Sequence, residues 1–455
     1  MPRPAGECPH ESGTGLLLPG PARNTRRVTT SGPATASTRR TVPIAVHLAL
    51  GLGVVGVAGY GFIAIVGRVF DAPAAAGTLG ALTAVYLLIN IMGPGGFAAV
   101  EQETSRSVSA ALAGGLSAWP VARRALQLTA GLFGGIAVLA LAAWPLLLRQ
   151  VLDDRVGLLL AVLLAAAGFG AMYWVRGVLS GQGRLGAYAA SLYLEGAARI
   201  LPCVLLFAFA VRRPDAYGLA FAIGSGVAGL ALVPGLRLRA GREGADPAGM
   251  GASLGRLVIA GLFMQLIANL APVLVTFRLS DDIVAANVFA LSFVLARVPL
   301  FLFSPVQALL VPALTRAVTT GRTDTFRRAV SRALVAVLAL GGVGAVLAAT
   351  VGPWAVELLF NAPQRPSAVT LGVLALATVA MMGTLTLQSA LIALGRQHTV
   401  TVAWAWGVAV FVPLLFLPIH PIDAALIAQL VGPGTALAFA AAGMWRARRA
   451  AASTG

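Results

Sequence analysis

The chain has 455 residues, of which 58% are hydrophobic and only 11% charged, and its mean hydropathy is +0.86. Soluble domains carry about 25% charged residues, so a water-soluble globular fold is excluded. The formal net charge of +17 comes from 33 basic residues, all arginine, spread over many short segments. A nucleic-acid-binding domain would gather them on one folded face, so that class is excluded too.

In chain order, residues 1–41 are rich in Pro, Gly, Ser, Thr and Arg without apolar periodicity, which predicts a disordered tail. Arg39-Arg40 before an apolar run resembles a twin-arginine export signal. Leu16–Leu18 is too short for a signal core, and the run after Arg40 leads into many further spans, so the arginines are expected to hold the tail inside and touch anionic lipid. From Ile44 to Met444, apolar runs recur at close to the roughly 20 residues that a helix needs to cross a bilayer. They predict spans near 44–67, 77–100, 125–148, 156–178, 188–211 and 217–236, then 257–278, 284–311, 329–352, 367–394, 399–419 and 424–445. No alternating polarity of the kind a membrane strand needs is present. The expected fold is an all-α polytopic membrane protein of about twelve helices. A lobe at 42–236, a cytoplasmic linker at 237–256, a lobe at 257–446 and a tail at 447–455 follow.

The tails and the even-to-odd loops hold 24 arginines and 7 acids, whereas the opposite loops hold 7 and 8. The positive-inside rule then puts both termini in the cytoplasm of a multi-pass cell (inner/plasma) membrane protein. A shift of about 212 residues brings Gly183-Arg184 onto Gly395-Arg396 and Arg237 onto Arg449, and a shift near 210 brings Pro94 beside Pro305 and Arg106 beside Arg316. Asp71 after span one parallels Asp281-Asp282 after span seven. Six spans per half is an even number, so the two lobes are parallel repeats about an axis along the membrane normal, with a central cavity between them.

Several apparent motifs fail on context. Gly51–Gly56 and Gly224–Gly229 both match GxGxxG, but they lie in membrane spans without a βαβ unit, where small residues serve close helix packing. Gly131 and Gly135 form a GxxxG with the same reading. No Walker A sequence occurs, His10, His47, His398 and His420 lack ligand spacing, and Cys8 and Cys203 form no CxxC. No cofactor, metal or catalytic acid pair is expected.

The informative residues are ionisable groups within spans, which cost a few kcal/mol near the bilayer centre and so tend to face a cavity. Glu195 and Arg199 sit four apart on span five, on one helix face, either as a self-neutralised pair or as part of a site. Arg297 on span eight has no acid within a helical turn; it snorkels, finds an inter-helix partner such as Glu195, or grips a phosphate through bidentate bonds. Arg176, at the cytoplasmic end of span four, is interfacial or faces the cavity mouth. Gly93-Pro94-Gly95-Gly96 interrupts span two, and Pro299, Pro305 and Pro312 interrupt span eight; these are hinge candidates or sites of static curvature.

Gly93–Phe97 with Glu101–Arg106, the segment Arg176–Arg184, and Arg297-Val298-Pro299 with Phe303–Gln307 and Pro312 resemble actinobacterial polysaccharide-biosynthesis membrane proteins. These are the oligosaccharide-lipid flippases of the multidrug/oligosaccharidyl-lipid/polysaccharide exporter superfamily. The resemblance implies alternating access and a polyprenyl-diphosphate-linked glycan as cargo, with Arg297, Arg199 and Arg176 as diphosphate candidates and Glu195 as coupling or orienting residue. Membrane lipids, and glycosyltransferases or a polymerase of the same pathway, are the partners it implies. The rival within the superfamily is a cation-coupled multidrug exporter, which commonly carries an acid in span one; residues 44–67 contain none. A membrane glycosyltransferase or polymerase would want catalytic acids and a sizeable outer loop, and the loops on that side are short. A non-transporting scaffold would leave Arg297 without a role.

Overall fold

The computed structural model describes residues 38–70, 76–238, 243–279, 281–360 and 364–452. Most of the expected tail, Cys8, His10 and Asp71 therefore lie outside the described residues. Met1–Thr41 separates from a compact unit, Val42–Gly455, which holds both lobes.

The first lobe comprises α1 (Thr38–Val69), α2 (Ala76–Met92), a π-helical turn (Gly93–Phe97), α3 (Ala98–Ala113), α4 (Trp119–Ala142), α5 (Trp144–Val151), α6 (Val156–Gly181), α7 (Leu185–Ala208) and α8 (Pro214–Leu230). The second comprises α9 (Met250–Arg278), α10 (Ile283–Leu295), α11 (Val298–Thr319), α12 (Thr323–Thr350), α13 (Gly352–Phe360), α14 (Ala368–Ala393), α15 (Gln397–Leu415) and α16 (Pro421–Ala452). Among the described residues, 11 helices are long and apolar enough to cross a membrane. The place of span eight is taken by α10 and α11, between which the helix breaks at Ala296-Arg297.

The two halves repeat element by element, down to a short helix (α5, α13) after the third span of each lobe. Turn geometry repeats as well. Gly115 and Gly321 follow the second span of each lobe, and Gly183 and Gly395 follow the fourth; all four have φ between +67° and +74°, where a side chain is strained and glycine is not.

Several boundaries differ from the sequence expectation. Span two does not end near residue 100 but runs through the π turn to Ala113, so Glu101, Glu103 and Arg106 stand on a helix rather than in a loop. Span seven begins at Met250, inside the expected linker. Small-residue packing holds in α8, where a Cβ on Gly224 would meet the Arg199 backbone nitrogen at 2.8 Å and one on Gly229 the Met172 nitrogen at 2.8 Å. It fails in α4, where Gly131 and Gly135 have nothing within 4 Å.

The lobes are joined through the ends of their helices that carry most of the arginines. The joining pairs are α3 with α9, α11 and α14, α6 with α11, α4 with α9, and the π turn with α9. Backbones come close where Gly261 on α9 meets Gly95: a Cβ on Gly261 would lie 2.7 Å from the Gly95 carbonyl oxygen. A polar seal completes this end. Gln388 donates to Gln102 at 3.1 Å, Gln397 donates to Glu103 at 3.2 Å, and Arg316 donates to the Gly181 carbonyl at 3.0 Å.

Candidate functional site

Helix α7 presents Glu195 and Arg199 one turn apart, as their spacing demands, and α6 brings Arg176 to the same point. Glu195 takes both guanidinium groups, Arg199 at 2.5 Å and Arg176 at 2.7 Å, and all three side chains are 5% exposed or less. A carboxylate taken from water into a low-dielectric interior is tolerable only with such pairing. Arg199 also donates to Ser225 at 2.8 Å, and the rings of Phe169 and Phe221 lie 5.2 Å from its guanidinium carbon. Among the described residues its Nε has no hydrogen-bond partner, so those aromatic faces supply the remaining stabilisation. Arg176 donates to Ser191 at 2.8 Å and lies 5.7 Å from the Tyr188 ring. The cluster belongs to the interior of the first lobe and carries one more positive than negative charge.

A second carboxylate, not singled out in the sequence, extends this network. Glu101 on α3 accepts the Tyr188 hydroxyl at 2.8 Å, so one tyrosine touches both Arg176, through its ring, and Glu101, through its hydroxyl. Glu103, two residues on, is fully buried and accepts from Arg106, Ser107 and Gln397. The available signal was a polar face continuing past the apolar run of span two, with Glu103 and Arg106 at i, i+3.

Arg297 stands apart from this cluster. Helix α10 ends at Leu295 and α11 starts at Val298, so Arg297 occupies the N-cap of α11, at the break itself. Its guanidinium lies over the Phe293 ring at 4.2 Å, and among the described residues no carboxylate pairs with it. It lines a cavity of about 10 Å³, shared with Phe293, Thr378, Met381 and Gln429, which is the space of a single water. Arg297 and Arg199 share no described contact, and the inter-helix pairing of Arg297 with Glu195 is not formed.

The proline-marked interruptions fall in the second span of each lobe. Pro94 opens the π turn, where the ring's missing N–H and its clash with the preceding turn are absorbed by the wider helix. Pro299 sits in the first turn of α11, where no intrahelical N–H bond is lost, and it packs against α12 at Gly344. Helix α11 continues through Pro305 and Pro312 without a break.

A larger cavity, about 190 Å³, lies between the lobes at the arginine-rich end. One face of α3 supplies Glu101, Gln102 and Ser105, α6 and α7 supply Tyr173 and Tyr188, and α11 of the other lobe supplies Gln307.

No protein-family model and no curated protein matches the sequence. Solved structures do match over nearly the whole chain. An outward-facing multidrug resistance MATE family transporter of the MOP superfamily is 13% identical, with a TM-score of 0.73 over 89% of this chain and 94% of its own. The Vibrio cholerae MATE transporter VcmN in its bent form is 18% identical, with a TM-score of 0.69 over 90% and 97%. A MOP superfamily transporter from Pyrococcus furiosus, reported with a binding pocket of reverse polarity and a suggested different function, is 14% identical, with a TM-score of 0.71 over 89% and 94%. At these identities the likeness is one of fold.

Proposed function

We propose that the protein is an alternating-access membrane transporter that moves a polyprenyl-diphosphate-linked oligosaccharide from the arginine-rich, cytoplasmic side to the opposite leaflet. The observation that carries this reading is Arg297. It is a cation at the break between two helices, without a carboxylate partner among the described residues and beside a cavity whose lining holds no acid. An organic cation would be repelled there, whereas a diphosphate would gain a charge-assisted, bidentate partner. The cavity in the present state admits only water, so the grip belongs to a state in which α10 and α11 have moved about their break. Glu195 pairs with both Arg176 and Arg199, which makes it an orienting residue and leaves those arginines, with one positive charge in excess, as secondary candidates.

A second reading, a cation-coupled multidrug exporter, is favoured by the fold neighbours, among them a multidrug resistance MATE family transporter. Helix α1 nevertheless contains no Asp or Glu. The Pyrococcus furiosus relative in fold, with its pocket of reverse polarity, is consistent with this fold accepting more than one kind of cargo.

The two readings separate in proteoliposomes. Flipping of a fluorescent polyprenyl-diphosphate sugar is expected, and extrusion of ethidium is not. Arg297→Ala should cut lipid flipping by about 10- to 100-fold, the value of hydrogen bonds to a charged group, with unchanged protein yield. Arg297→Lys should restore it only partly, because an ammonium lacks the planar fork. Full activity in the alanine variant removes Arg297 from the site, and ethidium extrusion without lipid flipping decides for the second reading.

A further inference from the structure

The cavity between the lobes differs in chemistry from the surroundings of Arg297. No arginine lines it, so it offers nothing to a diphosphate. Its 190 Å³ is 19 times the 10 Å³ single-water space beside Arg297 (190/10), room enough to admit a sugar ring. Two tyrosines supply flat, carbon-rich walls against which the C–H faces of a sugar ring can lie. Around them stand groups that can donate and accept hydrogen bonds. Among the described residues the Tyr173 hydroxyl and the Gln307 amide have no hydrogen-bond partner, and Gln102 uses only its carbonyl oxygen, toward Gln388. Glu101 is not a free anion waiting for a cation. Tyr188 donates to it at 2.8 Å, and Arg176 lies behind the Tyr188 ring.

We infer that this cavity is a glycan subsite, taking one sugar ring of the cargo while the diphosphate is held near Arg297. The inference rests on the lipid-linked glycan reading. Helix α11 links the two subsites: Gln307 lies ten residues beyond Arg297, about 15 Å along the helix axis. That distance selects a sugar beyond the first, the second or third counted from the diphosphate. Because α3, α6 and α7 supply one wall and α11 the other, a bound sugar touches both lobes. Closure at this end is thereby made sensitive to the presence of a glycan, and a bare polyprenyl diphosphate lacks the contact.

The test measures binding to the full-length chain in nanodiscs. The probes are polyprenyl diphosphate alone and the same lipid carrying one, two or three sugars drawn from glucose, galactose and N-acetylglucosamine. Affinity should rise about tenfold once a second or third sugar of a fitting kind is present, the effect of one or two hydrogen bonds. Tyr173→Phe combined with Gln307→Leu should erase that gain, read as the ratio of the two affinities within the variant. Equal affinity for every lipid in the wild type, or a gain that survives the double substitution, overturns the subsite and leaves the diphosphate reading intact. Failure of any polyprenyl diphosphate to bind overturns the parent reading and the subsite with it. Binding of tetraphenylphosphonium that Glu101→Gln abolishes assigns the cavity to organic cations and overturns the subsite.

Discussion

Glu195 holds two guanidinium groups at once, which sets an order among the variants of this cluster. Glu195→Ala leaves two buried positive charges side by side with no carboxylate in direct contact, since Glu101 reaches Arg176 only through Tyr188. Breaking a buried ion pair from one side costs about 3–5 kcal/mol, so this variant should unfold well below the wild type in a thermal melt in detergent. Arg176→Ala should cost less, because Glu195 and Arg199 remain as a neutral pair. Glu195→Gln keeps an acceptor for one arginine and should also fold, with an intermediate loss. If Arg176→Ala proves as damaging as Glu195→Ala, charge balance is not what holds the cluster together. Arg199, capped on two sides by Phe169 and Phe221, depends on the same desolvated setting.

The second span of each lobe is the element least like an ordinary membrane helix. In the first lobe it widens into a π turn at Gly93–Phe97; in the second it breaks at Ala296-Arg297. Both breaks lie on helices that reach the other lobe, α3 through α9, α11 and α14, and α11 through α3 and α6. The glycine contact between Gly95 and Gly261 sets how closely the lobes can seal. A leucine at Gly261 would drive a side chain into the Gly95 carbonyl, and overpacking of this kind costs about 1–3 kcal/mol, roughly a 5- to 100-fold shift against the closed end. Cysteines at Gln102 and Gln388, whose amides are 3.1 Å apart, report that closure through a short bis-methanethiosulfonate linker of about the length the two amides span, in a Cys8→Ser, Cys203→Ser background. Cross-linking by that linker should be efficient alone and should fall sharply when Gly261→Leu is added. Undiminished cross-linking means that the lobes pivot elsewhere.

For the whole molecule the questions are orientation and drive. If the arginine-rich end faces the cytoplasm, as the positive-inside rule expects, the present state is sealed on the cytoplasmic side. Ala248→Cys, exposed beside α9, should react with an impermeant thiol reagent only after permeabilisation, whereas Gln364→Cys, exposed at the opposite end, should react in intact cells. The reverse pattern overturns the orientation. On the proposed reading drive follows from charge: a dianionic diphosphate leaving a negative interior would gain about 2.3 kcal/mol per charge per 100 mV, roughly 4.6 for two charges. No acid lies on α1, and Glu195 is committed to two arginines, so membrane potential is the expected drive. In proteoliposomes at equal pH, a potassium–valinomycin potential, negative on the arginine-rich side, should accelerate flipping, and Glu195→Gln should keep that response. Transport driven only by a pH gradient, and lost in Glu195→Gln, would make Glu195 the coupling site instead.

Much of the architecture was legible in the sequence because a bilayer imposes length and polarity locally. A run of about 20 apolar residues spans wherever it occurs, so the helices, their repeat and the sorting of arginines to one end needed no tertiary information. The i, i+4 spacing placed Glu195 and Arg199 on one face for the same local reason. What local pattern could not decide was partnership. Arg176 meets Glu195 because α6 and α7 pack side by side, and 19 residues of sequence separation carry no hint of it. Glu101 and Glu103 looked like loop acids because hydropathy falls after Val100, yet α3 runs on to Ala113 and buries Glu103 against Gln397, 294 residues away. The prolines marked span eight as interrupted, yet sequence did not say where: the backbone breaks at Ala296-Arg297, just before Pro299, and runs on through Pro305 and Pro312. Apolar composition determined that these segments enter the membrane; only the packing of one lobe against the other decided which of their polar groups meet.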